Sequence, residues 1–238
     1  MLVTNFWVKY ILYKIVRAWF QLVDVGRVHP VRVMQLRALE ESADYIETHM
    51  LEAIGFDTQK ELLEFAVDAV EAEGSFLEFG VFKGGTIRRI ARRRPNQAID
   101  GFDSFEGLPE GWAGHNLAAG TFSTEGRLPR VPANVTLHKG WFDETLPRWL
   151  AQNPGPVAFI HNDSDLYSSA ATIFDLLAPR MQPGTIVLFD EFFNYPGWRQ
   201  HQVKAWTECA ARHGIAYSFI GYARQQAALK VISVGEAA

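Results

Sequence analysis

The stretch "FIHNDSDLYSSA", residues 159–170, decides how this chain is read. Val157, Ala158, Phe159, Ile160 and the ring of His161 make a continuous apolar run, the pattern of a strand buried on both faces. Two carboxylates, Asp163 and Asp165, stand where that strand must end. A second run, "GTIVLFDEF", ends the same way, on Asp190 and Glu191. Charge is costly at the margin of a core, so four acids at two strand tips point to a site rather than to packing.

Apolar runs and helical patterns alternate on either side of these strands. "SFLEFG", "AIDGFD" and "NVTLHKG" read as strands, and "TIRRIARRR", "DETLPRWLAQ", "SSAATIFDLLAPR" and "WRQHQVKAWTECAARH" as helices. Such alternation implies parallel pairing through right-handed crossovers. "AYSFIGY" and "QAALKVISV" are joined only by "ARQ", too little chain for a crossover, so one of them runs antiparallel. The expected fold is α/β, a doubly wound, mostly parallel sheet closed by an antiparallel hairpin. In such sheets ligands bind beyond the carboxyl ends of the strands, where Asp163 and Asp165 lie. Two further helices are expected at 33–50 and 58–73, the second opening at Asp57 or Thr58 and ended by Gly74. The chain divides into an N-terminal helical extension, 1–56, and a domain, 57–238.

The totals restrict the function. The net charge of −4 gives no reason to expect nucleic acid as a partner. The single cysteine, Cys209, forbids an intrachain disulfide; a cytoplasmic location and a buried thiol are expected. Residues 1–37 carry six basic side chains against Asp24, a net +5 that leaves −9 for the other 201 residues. On a helix, Trp7, Val8, Ile11, Leu12, Ile15, Ala18, Trp19 and Leu22 share one face, with Lys9, Lys14, Arg17 and Gln21 opposite. Three charges argue against a spanning helix, and no small-residue cleavage site marks a signal peptide. Residues 1–23 are read either as a helix packed on the core or on a second subunit of a homodimer, or as one lying peripherally in a membrane surface.

The glycine turn "LEFGVFKGGT" sits between a strand and a helix. Gly80, Gly84 and Gly85 let backbone approach a ligand, but the spacing is neither G-x-G-x-x-G nor a P-loop. Glu78 before the turn disfavours a phosphate and favours an amino group or a sulfonium. Asp103 ends the next strand, 23 residues after Gly80, where nucleotide sites hold ribose hydroxyls. Together these suggest an adenosine-containing ligand without a required pyrophosphate. Asp163, Asp165, Asp190 and Glu191 lie on strand tips about 4.8 Å apart if the strands are neighbours. Carboxylates that close need protons or a cation, and all-oxygen ligation suits Mg²⁺ or Ca²⁺.

The segments "FLEFGVFKGG", "GFDSFEGLPE", "KGWFDETLP", "DSDLYSS" and "PGTIVLFDEFFNYPGW" together resemble the macrocin O-methyltransferase-like family of class I S-adenosylmethionine-dependent methyltransferases. The resemblance covers roughly 57–232 and implies a Rossmann-like, seven-stranded sheet with its last hairpin reversed. It implies that Glu78, Gly80, Phe82, Gly84 and Gly85 hold the methionine part of the cofactor. Asp103 and Ser104 would hold the ribose, and Lys139, Gly140 and Trp141 would flank the adenine. Asp163 would face the methionine amino group, and Asp165, Asp190 and Glu191 would be the Mg²⁺ ligands. Asp190-Glu191 departs from the family's usual pair of aspartates, and Asn162 replaces an apolar residue.

The implied activity is Mg²⁺-dependent methyl transfer from S-adenosylmethionine to a hydroxyl of a small molecule, a sugar or a secondary metabolite. Asp165 and Asp163 are the candidate catalytic carboxylates, with His115, His138 and His161 as alternative bases. A non-catalytic S-adenosylmethionine-binding protein or a membrane-surface scaffold is the alternative. The loop 104–133 is long enough to cover a site, with Trp112 and Phe122 as candidate acceptor contacts. Tyr195 and Trp198 are expected to shape a substrate wall, and Arg88, Arg89, Arg92, Arg93 and Arg94 to form a solvated face.

Overall fold

The apolar runs form strands, and the helices between them present one apolar face each. The computed structural model describes residues 2–22 and 29–235, and the side chains of 8–18 and 29–235. In chain order the elements are α1 (Leu2–Leu22), α2 (Pro30–His49), β1 (Ile54–Gly55), α3 (Gln59–Asp68), β2 (Ser75–Phe79), α4 (Gly85–Arg93), β3 (Ile99–Asp103) and β4 (Val135–Lys139). They continue with α5 (Phe142–Gln152), β5 (Val157–Asn162), α6 (Tyr167–Leu177), β6 (Met181–Phe189), α7 (Gln202–Arg212), β7 (Ala216–Ala223) and β8 (Gln226–Ser233).

The sheet runs β1-β7-β8-β6-β5-β2-β3-β4. β8 is antiparallel to both neighbours, and every other pairing is parallel. The seven long strands are those expected; β1, two residues at the edge beside β7, carries too little pattern to be read as a strand. Chain order reverses between β2 and β5, so their tips form the topological switch point where ligands bind in such sheets. Successive strand residues face opposite layers. Phe76, Phe159 and Ile186 pack with Leu62, Leu63 and Ala66 of α3 and Ile87 and Ile90 of α4. Leu77, Ile160 and Val187 face the other layer with Leu146 and Trp149 of α5, Phe174 of α6 and Trp206 of α7.

α3 begins where expected, on a capping box in which Thr58 and Glu61 satisfy each other's backbone N–H groups. It ends at Asp68, short of Gly74, because the Arg94 guanidinium takes the carbonyls of Val67 (2.7 Å) and Val70 (2.9 Å). The arginines of α4 are therefore not merely solvated. Arg89 pairs with Glu64 at 3.2 Å, and Arg93 is held by Asp68, tying α4 to α3.

The extension is continuous with the core from Ala38 onward. Ala38 and Ser42 are buried, and Tyr45 stacks edge-on against Phe192, Trp198 and Phe219. The Asn194 N–H donates to Ser42 Oγ at 2.8 Å, joining α2 to the segment after β6. Cys209 is buried in α7, and burial pushes its thiol up to about 12. Among the described residues no helix is long and apolar enough to cross a membrane.

Candidate active site

The turn after β2 meets the turn after β5 at the switch point. Gly80 has φ +91°, and a Cβ there would lie 1.9 Å from the Asp163 carbonyl oxygen, so only glycine lets the two strand tips close together. Asp103, at the tip of β3, fastens the same turn. Its Oδ2 accepts the N–H groups of Val81 (2.8 Å) and Phe82 (2.6 Å), and its Oδ1 accepts that of Phe105 (2.6 Å). Phe82, Phe105 and Asp165 all have positive φ, near 48°, 59° and 62°, which places strained backbone around one opening.

That opening is a cavity of about 270 Å³. Gly80, Phe82, Asp103, Ser104, Gly140, Trp141, Asp163, Asp165, Asp190 and Glu191 line it, ten of the residues expected at the site. Gly84 and Gly85 do not: Gly84 is the left-handed N-cap of α4, and its neighbours are Arg88 and Pro129. Glu78 lies beneath the cavity, fully buried, its Oε1 accepting the Thr86 hydroxyl (2.8 Å) and its Oε2 facing His161 Nδ1 (3.1 Å). Both of its carboxylate oxygens thus have partners within the protein.

His161 is the counter-ion of this floor. It is opposite Glu78 in the β2–β5 register and fully buried. Its Nε2 lies 3.7 Å from Asp190 Oδ1, an ion pair too long for a hydrogen bond. Burial opposes a charged ring, but attraction to Asp190 and Glu78 outweighs it and lifts His161 to about 10. That environment favours the protonated ring, which is not a base near neutrality. His138 is spoken for as well, 2.7 Å from Asp100 and stacked on Phe102. His115 packs behind Trp112, and burial holds its pKa down.

The acids at the mouth behave differently from one another. Burial opposes ionisation of Asp190, but His161 holds it below the usual carboxylate range, and Gln226 donates to it. Burial, then the charge of Asp190, pushes Asp163 well up and lifts Asp165 to about 7. Burial and the charges of Asp190, Asp163 and Asp165 push Glu191 up strongly. Oxygens of Asp163, Asp165 and Glu191 lie within 4.8 Å of one another. This trio is an all-oxygen donor set of the kind that suits Mg²⁺ or Ca²⁺. Ligand atoms of His161, Asp163 and Asp190 form a second group just as close, so Asp163 is shared by both, and Asp190, one of the expected ligands with Asp165 and Glu191, stands beside Glu191 as well as His161.

The loop 104–133 forms the outer wall. Leu108 and Trp112 are buried, Trp112 bridges to Leu117, and Phe122 packs edge-on against Phe82 at 5.7 Å. Leu108, Trp112 and Phe122 all line the cavity. Tyr195 and Trp198 do not line it, contrary to expectation. Both are core residues, Tyr195 behind Trp112 and Trp198 against Tyr45. Gln226, Gln202 (3.3 Å from Glu191) and Phe142 carry no pattern that marks them as site residues; register and helix placement bring them there.

The strand order, the reversed hairpin and a ligand cavity at the switch point define a Rossmann-like α/β fold of the class I methyltransferase type. Residues 77–192 match a family described as a methyltransferase domain. The chain is 31% identical over 155 residues to 8-demethyl-8-(2,3-dimethoxy-alpha-L-rhamnosyl)-tetracenomycin-C 4'-O-methyltransferase of Streptomyces olivaceus. That match spans 55% of this chain and 58% of the relative, less than two thirds of its length. The structure of the O-methyltransferase NovP superposes with a TM-score of 0.57 at 25% identity, over 73% of this chain and 79% of NovP. Calicheamicin methyltransferase CalS11 gives 0.57 at 20% identity, over 87% and 99%, a likeness of fold.

Proposed function

We propose that this chain is an O-methyltransferase that takes its methyl group from S-adenosylmethionine and works with Mg²⁺ on a hydroxyl of a sugar or secondary metabolite. The observation that carries this reading is one cavity at the switch point with a glycine-and-Asp103 turn on one side and three clustered carboxylates on the other. The similarity to a rhamnosyl-tetracenomycin O-methyltransferase supports the acceptor class, and that to the O-methyltransferase NovP supports the reaction.

Gly80 and Phe82 would contact the methionine portion, Asp103 and Ser104 the ribose, and Gly140 and Trp141 the adenine. Asp163, Asp165 and Glu191 would hold the cation. When bound, the sulfonium supplies the methyl group and the cation supplies positive charge that lowers the pKa of an adjacent hydroxyl. The residues of the chain do the rest. His161 fixes Glu78 and Asp190 beneath the site and holds Asp190 toward its ionised form. Asp165 accepts a proton at its carboxylate once ionised, within reach of an acceptor in the cavity. Leu108, Trp112 and Phe122 exclude water and orient the acceptor, and such positioning is worth roughly 7–11 kcal/mol at best.

Transfer of labelled methyl from S-adenosylmethionine to a panel of deoxysugar glycosides, with Mg²⁺ or EDTA, tests the reading. Metal-dependent turnover that Asp165→Asn abolishes is expected. Cofactor binding without turnover on any hydroxylated acceptor, with or without metal, would instead favour a binding protein.

A further inference from the structure

The N-terminal helix turns the wrong way for a packing element. Among its described side chains only Tyr13 is partly covered. Tyr13 lies on the polar side, where its hydroxyl donates to Glu40 of α2 at 2.6 Å; Arg17, on the same side, pairs with Glu40 at 2.8 Å. α1 thus leans on α2 by its polar back. Its apolar stripe faces away: Val8 is 53% exposed, Ile11 54%, Leu12 54% and Ile15 58%. Trp7, Trp19 and Leu22, which the helical pattern adds to that face, lie outside the described side chains.

The charges around the stripe say what covers it. At about 100° per residue, Lys9 and Lys14 lie about 110° to either side of its midline, one on each flank. Both are exposed, on stems long enough to reach past an apolar layer to its charged rim. The α1 sequence holds no Asp or Glu, and Arg32 and Arg37 follow before the first acid of α2 at Glu40. A second α1 laid on the stripe would bring lysines to lysines with no carboxylate from either helix between them. An anionic lipid surface offers acyl chains to the stripe and phosphates to both lysines. We infer that α1 lies in the surface of a membrane bearing anionic phospholipid, its stripe of Val8, Ile11, Leu12 and Ile15 immersed and Lys9 and Lys14 at the headgroups. The contact with Glu40 then holds the cavity at a fixed side of that surface.

Flotation of the full chain with vesicles of phosphatidylglycerol in phosphatidylcholine, against phosphatidylcholine alone, tests this. Flotation is expected on the anionic vesicles and is lost at high salt. Ile11→Glu with Ile15→Glu is expected to lower partitioning at least about tenfold, given the apolar area withdrawn. Lys9→Ala and Lys14→Ala each lower it about fivefold. Unchanged thermal unfolding of these variants shows that the fold is intact. No flotation, or flotation indifferent to lipid charge and to these substitutions, overturns the inference. So does a chain that does not float but whose sedimentation shows a dimer that Ile11→Glu with Ile15→Glu makes monomeric; the stripe is then a subunit interface.

Discussion

His161→Gln removes the only cation beneath the acid cluster among the described residues. Glu78 Oε2 is 3.1 Å from Nδ1 and Asp190 Oδ1 3.7 Å from Nε2. At an effective dielectric constant of about 20, those separations correspond to about 5 and about 4 kcal/mol of attraction before desolvation is subtracted. Glu78 is wholly buried, so water does not replace the lost partner. Breaking one partner of a buried ion pair costs about 3–5 kcal/mol, and that is the expected loss of unfolding free energy. For a chain of 238 residues this corresponds to a fall in Tm of about 6–20 °C. Urea unfolding of the metal-free protein, followed by far-ultraviolet circular dichroism, measures it. Glu78→Gln with His161→Gln exchanges the ion pair for a neutral amide pair and is expected to recover more than half of the loss. A loss below about 1 kcal/mol, or no recovery in the double variant, would refute the assignment of His161 as the buried counter-ion.

Gly80→Ala is expected to cost about 2–4 kcal/mol of stability, since φ +91° is unfavourable for alanine and the new Cβ meets the Asp163 carbonyl; a variant as stable as the parent, by thermal unfolding, contradicts the tight β2–β5 turn. Arg94→Met leaves the Val67 and Val70 carbonyls uncapped and is expected to lose about 1.5–3 kcal/mol, read from the urea midpoint. In EDTA, stability is expected to fall as pH rises from 5 to 8. Asp163, Asp165 and Glu191 bind protons more tightly folded than unfolded, so their contribution is lost as pH rises through values that for Asp165 are about 7. His161, raised to about 10, adds a decline of the same sign above its ordinary value of 6.5. Mg²⁺ is expected to raise Tm more at pH 8 than at pH 5; an equal or opposite shift contradicts the cation site.

The strands and their tips were legible because burial on both faces leaves a run such as "VAFIH" no other place, and because acids are conspicuous at its end. The reversed hairpin followed from a linker too short to cross the sheet. Other features depend on contacts distant in sequence. The end of α3 is set by Arg94, 26 residues beyond Asp68, and periodicity within the helix does not encode it. The role of His161 requires the register that puts it opposite Glu78, 83 residues away. The grouping of the four acids with one another and with His161 is likewise a matter of which atoms turn toward one another. Tyr195 and Trp198 are near the site in sequence, yet their size sends them to the core.

The proposed function requires that the switch-point cavity bind S-adenosylmethionine beside a cation held by Asp163, Asp165 and Glu191. Calorimetric titration of S-adenosylmethionine into the folded chain, with and without Mg²⁺ and repeated on Asp103→Ala and Asp165→Asn, tests it most directly. The account predicts that the wild type binds, that Asp103→Ala abolishes cofactor binding, and that Asp165→Asn keeps it while losing the response to Mg²⁺. No heat of binding from the folded wild type, or full binding by Asp103→Ala, would contradict it.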